Sequence, residues 1–223
     1  MIKFYYNGSP NPMKVAFFLE ETGLPYEPIP IDTRKGEQFL PDFVAINPNA
    51  KVPVIVDGDA VVFDSNAILL YLADKTGQFL PPADDVSRGQ LLSWMMFVAS
   101  GLSPFSGQAV HFRHYAPADQ DYPSKRYQFE ARRHFGVLEA RLSDRPYILG
   151  DALTVADFAA WGWAVRAPLI MGDDAWSEFP NVKHWCDGLS ARPAAQRAVA
   201  IKDRHKFQAE FDDGARRNMF RFL

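Results

Sequence analysis

A predicted two-strand hairpin constrains the fold of this chain more than any other feature of the sequence. Residues 51–56 (KVPVIV) form a β-branched run, Asp57-Gly58 follows, and residues 60–63 form a second short apolar run. An Asp-Gly pair between two such runs is a strong local signal for an antiparallel hairpin, here predicted to turn at Asp57-Gly58. The chain is therefore predicted to contain a β-sheet.

The segments before the hairpin are predicted to join this sheet. Ile2–Tyr6 and Tyr26–Pro30 have the composition of short strands. Between them lies a helical pattern that Asn11 is expected to cap and Gly23 to end. A helix that crosses over between two strands of one sheet makes those strands parallel. We therefore expect a mixed sheet.

Two more helices complete the first part of the chain. One is predicted over residues 37–46, and the next begins after the hairpin, with Ser65 as its cap and Gly77 at its end. The order β-α-β-α-β-β-α indicates a small mixed sheet with helices on its faces.

The remainder of the chain is predicted to be helical. Residues 78–85 (QFLPPADD) lack periodicity and contain two adjacent prolines, which is typical of a linker. Helices are predicted over residues 90–107, 124–142, 182–190 and 194–201. A further helix is predicted to start at Thr154, where Asp157 three residues later indicates a capping box. The predicted parts are an α/β domain (1–77), an all-α domain (87–206) and a C-terminal arm (207–223) whose aromatic residues include Phe222.

Composition limits the partners of this chain. Hydrophobic residues make up 48% and charged residues 23% of the 223 residues, which is typical of a globular protein with a sizeable core. A formal charge of −3 supplies no basic field for nucleic acid or for an anionic membrane surface. The first residues do not resemble a secretory signal, and Cys186, the one cysteine, cannot form an internal disulfide. A reducing, cytoplasmic location is expected.

Pro53 has two readings when it is taken alone. It lies inside a β-like run, where proline removes a hydrogen-bond donor from the sheet. The simpler reading is a trans proline at the start of an edge strand, because cis bonds are only about 5–6% of X–Pro bonds. In the other reading, a cis Val52–Pro53 bond exposes the backbone of Val52 to an extended peptide ligand.

Two further sites have both structural and functional readings. Asp64 and Ser65 begin a helix, so they are either a simple cap or a site for the carboxylate and the ammonium of an amino acid. Ser9 and Asn11 lie in the loop after the first strand, where they either form a turn and a cap or face a ligand. There, a hydroxyl or an amide donor that faces a ligand thiol favours the thiolate and lowers its pKa.

Taken together, these residues resemble the cytosolic glutathione transferase family, which implies an α/β thioredoxin-like N-terminal domain followed by an all-α C-terminal domain. Within the family, the chain is most similar to the nu class and the bacterial disulfide-bond oxidoreductases near it. The resemblance covers nearly the whole chain up to about Lys206. The general family motifs are Ser9-Pro-Asn11, residues 47–53 (NPNAKVP), residues 63–72 (FDSNAILLYL) and Thr154-Val-Ala-Asp157. The closer match depends on residues 36–39 (GEQF), Gly107-Gln108 with residues 111–114 (HFRH), and residues 126–128 (RYQ).

The resemblance implies a bound glutathione molecule and assigns a part of it to each site residue. Ser9 and Asn11 would face the sulfur, and relatives usually have threonine where this chain has Ser9. Val52, beside a cis Pro53, would pair with the cysteinyl unit. The remaining assignments are the γ-glutamyl end for Asp64 and Ser65, the glycyl end for Gln38 and Lys51, and a contact from the helical domain for Arg126.

The resemblance further implies an enzyme that activates the glutathione thiolate through hydrogen bonds. No cysteine lies near Ser9, so bound glutathione would itself attack a small disulfide. Conjugation to an electrophilic co-substrate is the weaker expected activity. The alternatives are a non-catalytic binding or regulatory protein of the same fold, and a glutathione-dependent isomerase.

Several residues have no assigned function in this reading. Tyr5 and Tyr6 are not the expected thiol partners, because neighbouring strand residues point to opposite faces. His111 and His114 have no cysteine or carboxylate at ligand spacing, so no metal is expected there. The resemblance also implies a homodimer.

Overall fold

The computed structural model describes residues 1–117 and 119–221. Ala118, Phe222 and Leu223 lie outside the described residues, and with them the last two positions of the predicted C-terminal arm. The chain divides into two compact units. The first unit comprises Met1–Lys75 and Pro193–Leu223, and the second comprises Thr76–Arg192.

The first unit contains a four-stranded mixed sheet in the order β2-β1-β3-β4. Its strands are β1 (Ile2–Tyr6), β2 (Tyr26–Pro30), β3 (Val54–Asp57) and β4 (Ala60–Phe63). β1 and β2 are parallel, whereas β1–β3 and β3–β4 are antiparallel. The predicted strands, the parallel pair and the hairpin are all confirmed. The hairpin turn itself is formed by Gly58-Asp59 and not by Asp57-Gly58, because Asp57 pairs with Ala60.

The helices of the first unit are α1 (Pro10–Thr22), α2 (Pro41–Ile46), α3 (Ser65–Thr76), α11 (Pro193–Ala200) and α12 (Asp213–Met219). Gly23 follows α1 at a φ of 68°, a left-handed conformation that glycine adopts without strain. The predicted helix over residues 37–46 is divided into a 3₁₀ turn (Glu37–Phe39) and α2. The residue before a proline is restricted to extended conformations, so Pro41 interrupts the helix at Leu40.

Two predicted helix caps are wrong by one or two residues. The helix α1 begins at Pro10, with Ser9 in the extended conformation of an N-cap, because Asn11 already lies within the first turn. The helix α3 begins at Ser65, so its cap is Asp64, whose Oδ1 accepts hydrogen bonds from the backbone N–H groups of Asn66 and Ala67.

The last part of the chain packs with the first unit, which differs from the expected helical domain over residues 87–206. α11 packs against α1. Nε of Arg197, on α11, lies 2.7 Å from Oε2 of Glu20, on α1. The buried hydroxyl of Tyr6 donates to the carbonyl of Ile201 at 2.9 Å, and it also lies 2.7 Å from Nδ1 of His205. These contacts attach residues from 193 onward to the α/β unit.

The second unit is built from helices. They are α4 (Asp85–Phe97), a π-helical segment (Val98–Leu102), α5 (Ser103–His114), α6 (Asp121–Arg141), α7 (Val155–Ala164), α8 (Ala167–Met171), α9 (Ala175–Glu178) and α10 (Pro180–Ser190). The predicted helix over residues 90–107 is thus part of a longer helical run that the π segment interrupts. A Cβ at Gly101 in that segment would overlap the His134 ring of α6, so the close approach requires glycine.

The predicted capping box at Thr154 is confirmed and is fully buried. Asp157 accepts hydrogen bonds from the backbone N–H and the hydroxyl of Thr154. The same carboxylate accepts from the N–H of Ile148 and from the indole N–H of Trp185. Four donors therefore join the start of α7 to the preceding loop and to α10. None of the helices within residues 1–117 and 119–221 is both long and apolar enough to cross a membrane.

Candidate functional site

Most of the predicted site residues of the first unit lie at one edge of the sheet. Tyr5 of β1 pairs with Val54 of β3, and Val54 pairs with Phe63 of β4. The end of β1, the start of β3 and the end of β4 are therefore neighbours. We call this side of the sheet the carboxyl edge, after the end of β1. The loop with Ser9, the Val52–Pro53 bond and Asp64 all adjoin it.

Asn7 holds the loop that contains Ser9. Its Oδ1 accepts hydrogen bonds from the backbone N–H of Ser9 at 3.0 Å and from the Ser9 hydroxyl at 2.6 Å. Its Nδ2 donates to the Thr33 hydroxyl at 3.1 Å, which links the segments after β1 and β2. Sequence reasoning missed Asn7, although a polar residue directly after a strand at the carboxyl edge is a usable signal.

Asn11 lies between two prolines in the first turn of α1. Pro10 and Pro12 have no backbone N–H, so they cannot donate to a ligand at the start of the helix. The backbone N–H of Met13 donates to the carbonyl of Ser9 at 3.3 Å. Among residues 10–12, Asn11 is the one that carries N–H donors, on its backbone and on its side-chain amide. Its side chain is partly exposed.

The Val52–Pro53 peptide bond is cis and lies directly before β3. The loop in front of it is shaped by Asn47, which is 1% exposed. Nδ2 of Asn47 donates to the carbonyl of Lys51 at 2.7 Å, and its Oδ1 accepts from the N–H of Asn49 at 3.0 Å. Asn47 thus positions the backbone that leads to Val52, a role that the sequence analysis did not assign.

The start of α3 combines an exposed carboxylate with a buried amide. Asp64 is exposed and has a φ of 69°. Ser65 and Asn66 are each 4% exposed. Aspartate and asparagine tolerate this left-handed conformation better than most residues, which explains an acidic residue at the cap. Two N–H groups of this turn, those of Asn66 and Ala67, already donate to Asp64. The N–H of Ser65 and the positive end of the helix dipole suit an anion, and the exposed carboxylate of Asp64 suits an ammonium.

A buried lysine lies against this helix start. Lys14 of α1 is fully buried, and its Nζ donates to Oδ1 of Asn66 at 2.9 Å. Burial lowers the pKa of Lys14 to about 7, while the negative charge of Asp64 acts in the opposite direction. The sequence analysis missed this pair. The available signal was a lysine among the apolar residues of α1.

Gln38 is held by the C-terminal part of the chain. It is 5% exposed, and its Nε2 donates to the carbonyl of Asn218 at 3.2 Å. Its Oε1 is buried and has no hydrogen-bond partner. Nδ2 of Asn218 donates in turn to the carbonyl of Arg34 at 2.8 Å. Lys51, the other residue predicted for the glycyl end of the ligand, is exposed.

The described part of the C-terminal arm, residues 207–221, makes further contacts with residues 32–39, which we call the Gln38 segment. The N–H of Gln208 donates to Oδ2 of Asp32 at 2.7 Å. The Arg34 guanidinium donates to the carbonyls of Gln208 at 3.0 Å and Ala209 at 2.5 Å. The guanidinium of Arg221 lies 4.1 Å from the centre of the Phe39 ring.

Arg126 belongs to the second unit, on α6. Its Nη1 lies 2.5 Å from Oε1 of Glu130, whose side chain is 9% exposed. Oε2 of Glu130 lies 2.9 Å from Nε of Arg133. These two guanidinium groups hold the pKa of Glu130 below its usual range. Half of the Arg126 side chain stays exposed, so Glu130 orients it and leaves donors for a ligand.

Three groups that are predicted to take no part in the reaction, Tyr5, Tyr6 and Cys186, are partly or fully buried. Burial raises the pKa of Tyr6 to about 12, and Tyr5 packs on the other face of the sheet against Phe43. Cys186 is 2% exposed on α10, and burial raises the pKa of its thiol.

The two histidines that the sequence analysis considered as metal ligands, His111 and His114, both lie on α5. Nε2 of His114 lies 2.7 Å from the carbonyl of Leu169, and burial lowers the pKa of His111. In the described part of the chain, no group of three or more His, Cys, Asp or Glu side chains is placed to hold a metal ion.

The four-stranded mixed sheet of the first unit and the helices of the second unit are the architecture of a thioredoxin-like domain followed by a helical domain. The family model described as "Glutathione S-transferase, N-terminal domain" matches residues 1–74, and "Glutathione S-transferase, C-terminal domain" matches residues 126–188. The chain belongs to the glutathione S-transferase family. The predicted family and its fold, a thioredoxin-like domain with an all-α domain, are confirmed.

Individual relatives match almost the whole chain. Disulfide-bond oxidoreductase YfcG of Escherichia coli strain K12 is 39% identical over 213 residues, covering 89% of this chain and 94% of YfcG. A glutathione transferase of Burkholderia graminis, solved with two glutathione molecules per subunit, has a TM-score of 0.83 at 39% identity, covering 92% of this chain and 89% of its own. A glutathione transferase of Pseudomonas putida, solved with one glutathione disulfide per subunit, has a TM-score of 0.82 at 33% identity, covering 90% and 91%. These relatives are enzymes by name, which confirms the prediction of an enzyme.

Proposed function

We propose that this chain is a glutathione-dependent disulfide-bond oxidoreductase with a weaker glutathione-conjugating activity, in which bound glutathione supplies the reacting thiol. The observation that carries the proposal is the position of Cys186, the one cysteine of the chain. It is buried on α10, and burial raises the pKa of its thiol. The thiolate is the reactive form of cysteine, so a nucleophilic sulfur has to arrive with the ligand.

The relatives support this choice of reaction. YfcG, which is named as a disulfide-bond oxidoreductase, covers 89% of this chain at 39% identity. The similar enzyme of Pseudomonas putida binds glutathione disulfide, the oxidised product that such a reaction forms. We assign conjugation as the second activity because the same thiolate reacts with an electrophilic carbon.

The ligand is oriented along the carboxyl edge. The α-carboxylate of the γ-glutamyl unit faces the first turn of α3 at Ser65, and its α-ammonium faces Asp64. The backbone of Val52, beside Pro53, pairs with the cysteinyl unit as an added strand would. The other assigned contacts are Gln38 and Lys51 at the glycyl end, and Arg126 from the second unit.

Asn11 is assigned as the main donor to the sulfur. A free thiol has a pKa of about 8.5 and is mostly protonated at neutral pH, and each unit of lowering corresponds to about 1.4 kcal/mol. A hydrogen bond from the Asn11 amide stabilises the thiolate selectively. The Ser9 hydroxyl already donates to Asn7 at 2.6 Å, so it has to rotate before it can donate to sulfur. Breaking that hydrogen bond limits the contribution of the Ser9 hydroxyl.

The reaction consumes two molecules of glutathione for each disulfide. The thiolate of the first attacks one sulfur of the substrate, so that a new S–S bond forms and the old one breaks. The departing thiolate takes a proton from solvent. A second glutathione thiolate attacks the mixed disulfide, which yields glutathione disulfide and the second thiol. The substrate gains two electrons, and the two glutathione molecules lose them.

Parallel assays of the two activities in three variants test this proposal. Reduction of a small disulfide and conjugation of an aromatic halide are measured with glutathione. Asn11→Ala is expected to lower kcat/KM in both assays by about tenfold to a hundredfold, the loss of one charge-assisted donor, and Ser9→Ala by a few-fold. Cys186→Ala is the control and keeps both activities. Unchanged rates in Asn11→Ala and Ser9→Ala, or loss of activity in Cys186→Ala, would contradict the shared-thiolate mechanism.

We propose in addition that the enzyme is a cytoplasmic homodimer. The single cysteine supports a reducing compartment, and the dimer rests on the family resemblance. Light scattering of the purified chain measures the oligomeric state directly, and a monomer mass at assay concentration would refute the dimer.

A further inference from the structure

We propose that Lys14 is a positioning residue for the γ-glutamyl end of the ligand. From inside the first unit, its ammonium holds the first turn of α3 through Asn66 and adds a buried positive charge behind the ligand's α-carboxylate. This inference rests on the proposed function, because it assigns a role at the same site.

The geometry gives Lys14 a direct connection to the ligand site. Its Nζ donates to Oδ1 of Asn66 at 2.9 Å, and Asn66 is the second residue of α3. The backbone N–H of the same Asn66 donates to Oδ1 of Asp64 at 2.8 Å. Asn66 thus connects the two charged groups: its side-chain oxygen accepts from the ammonium of Lys14, and its backbone N–H donates to the Asp64 carboxylate, which is assigned to the ligand's ammonium.

Packing alone does not account for a lysine here. Lys14 is fully buried, and a buried ammonium has to give up its hydration. A methionine of similar length fills such a position without that cost. An ammonium has three N–H donors, and Asn66 is its hydrogen-bond partner within the described residues. The favourable contribution that remains for Lys14 is its positive charge.

The charge of Lys14 is sensitive to a ligand. Burial lowers the pKa of Lys14 to about 7, and among the described charged groups Asp64 is the one that raises it. An anion at the start of α3 favours the protonated form and raises this pKa further. The bound state therefore holds more protons than the free state just above pH 7. Affinity is highest below the free pKa and declines as pH rises through the bound pKa.

The test uses S-methylglutathione, which has no thiol to ionise. Calorimetric titration at pH 7.5, in two buffers with different ionisation enthalpies, measures both Kd and proton uptake. The wild-type chain is expected to take up about half a proton on binding. Lys14→Met is expected to weaken binding about tenfold and to abolish the uptake. Lys3→Met, which removes an exposed lysine of β1, is the matched control and should behave as the wild type.

A second variant keeps the test decisive if Lys14→Met does not fold. Asn66→Asp places a carboxylate against the ammonium, which keeps Lys14 protonated and neutralises its effect on the ligand. Proton uptake should again disappear and Kd should rise. Unchanged Kd and uptake in whichever of the two variants folds would overturn the role of Lys14. Failure of the wild-type chain to bind S-methylglutathione would instead refute the proposed function, and this role with it.

Discussion

The start of α3 is assigned to the γ-glutamyl end of the ligand and the Gln38 segment to its glycyl end. Different parts of the chain hold these two regions in place. The start of α3 is shaped by its own sequence, through the Asp64 cap, and by Lys14 of the neighbouring helix. The Gln38 segment is held by the C-terminal arm, through contacts that join residues more than 170 positions apart.

This difference separates recognition of the γ-glutamyl end from recognition of the glycyl end. A helix cap forms wherever the helix forms, so the α3 site is preorganised. The Gln38 segment depends on the arm, whose ordering costs conformational entropy. Perturbing the arm should therefore affect one end of the ligand and leave the other unchanged.

The largest effect is expected from Asp64→Ala, which removes the carboxylate at the start of α3. KM for glutathione in the disulfide-reduction assay should rise about tenfold to a hundredfold, because a charge-assisted contact to the ligand ammonium is lost. The free energy of unfolding should fall by about 1 kcal/mol through loss of the cap.

Asp64→Asn is the matched control for this change. Asparagine caps a helix and tolerates the left-handed conformation, so stability should stay near that of the wild type while KM rises as in Asp64→Ala. A wild-type KM in Asp64→Asn would show that the carboxylate does not hold the ligand.

An intermediate effect is expected when the arm is deleted after Lys206. The Gln38 segment loses the partners of Asp32, Arg34 and Gln38. KM for glutathione should rise about fivefold, equivalent to about 1 kcal/mol, with a smaller change in kcat. Hydrogen exchange should accelerate at residues 32–39 and stay constant at residues 66–69, which are the internal reference. Equal exchange in both regions, with and without the arm, would remove the distinction between them.

The smallest effect is expected from Asn218→Ala. This change removes the hydrogen bond from Nδ2 to the carbonyl of Arg34 but keeps the backbone carbonyl that accepts from Gln38. The free energy of unfolding should fall by about 1 kcal/mol and KM should rise about twofold. If KM rose as much in Asn218→Ala as in the deletion after Lys206, the Asn218 side chain alone would account for the effect of the arm.

The sequence predicted those features of the fold that depend on short stretches. The strands, the parallel pair, the hairpin and the Thr154 capping box each follow from local signals, and the structure contains all of them. The errors are local too, such as the cap at Asn11 or the uninterrupted helix over residues 37–46. In the latter, the helical pattern received more weight than the restriction that Pro41 places on Leu40.

The support of the site was less predictable, because it depends on distant contacts. Asn7, Lys14 and Asn47 carry no motif that the sequence analysis used, and each acts through one or two hydrogen bonds formed only in the folded unit. The contact between Gln38 and Asn218 joins two ends of the chain, and no local pattern indicates it.

The central claim is that the chain lowers the pKa of a thiol that belongs to its ligand. Its most direct test is the ultraviolet absorbance of the thiolate, titrated with pH for glutathione bound to the Cys186→Ala variant, with S-methylglutathione as the blank. The bound thiol should ionise at least about one unit below the free value of about 8.5, and Asn11→Ala should reverse most of that shift. Ionisation of the bound thiol at the free value, in a variant that still reduces disulfides at the full rate, would contradict the account.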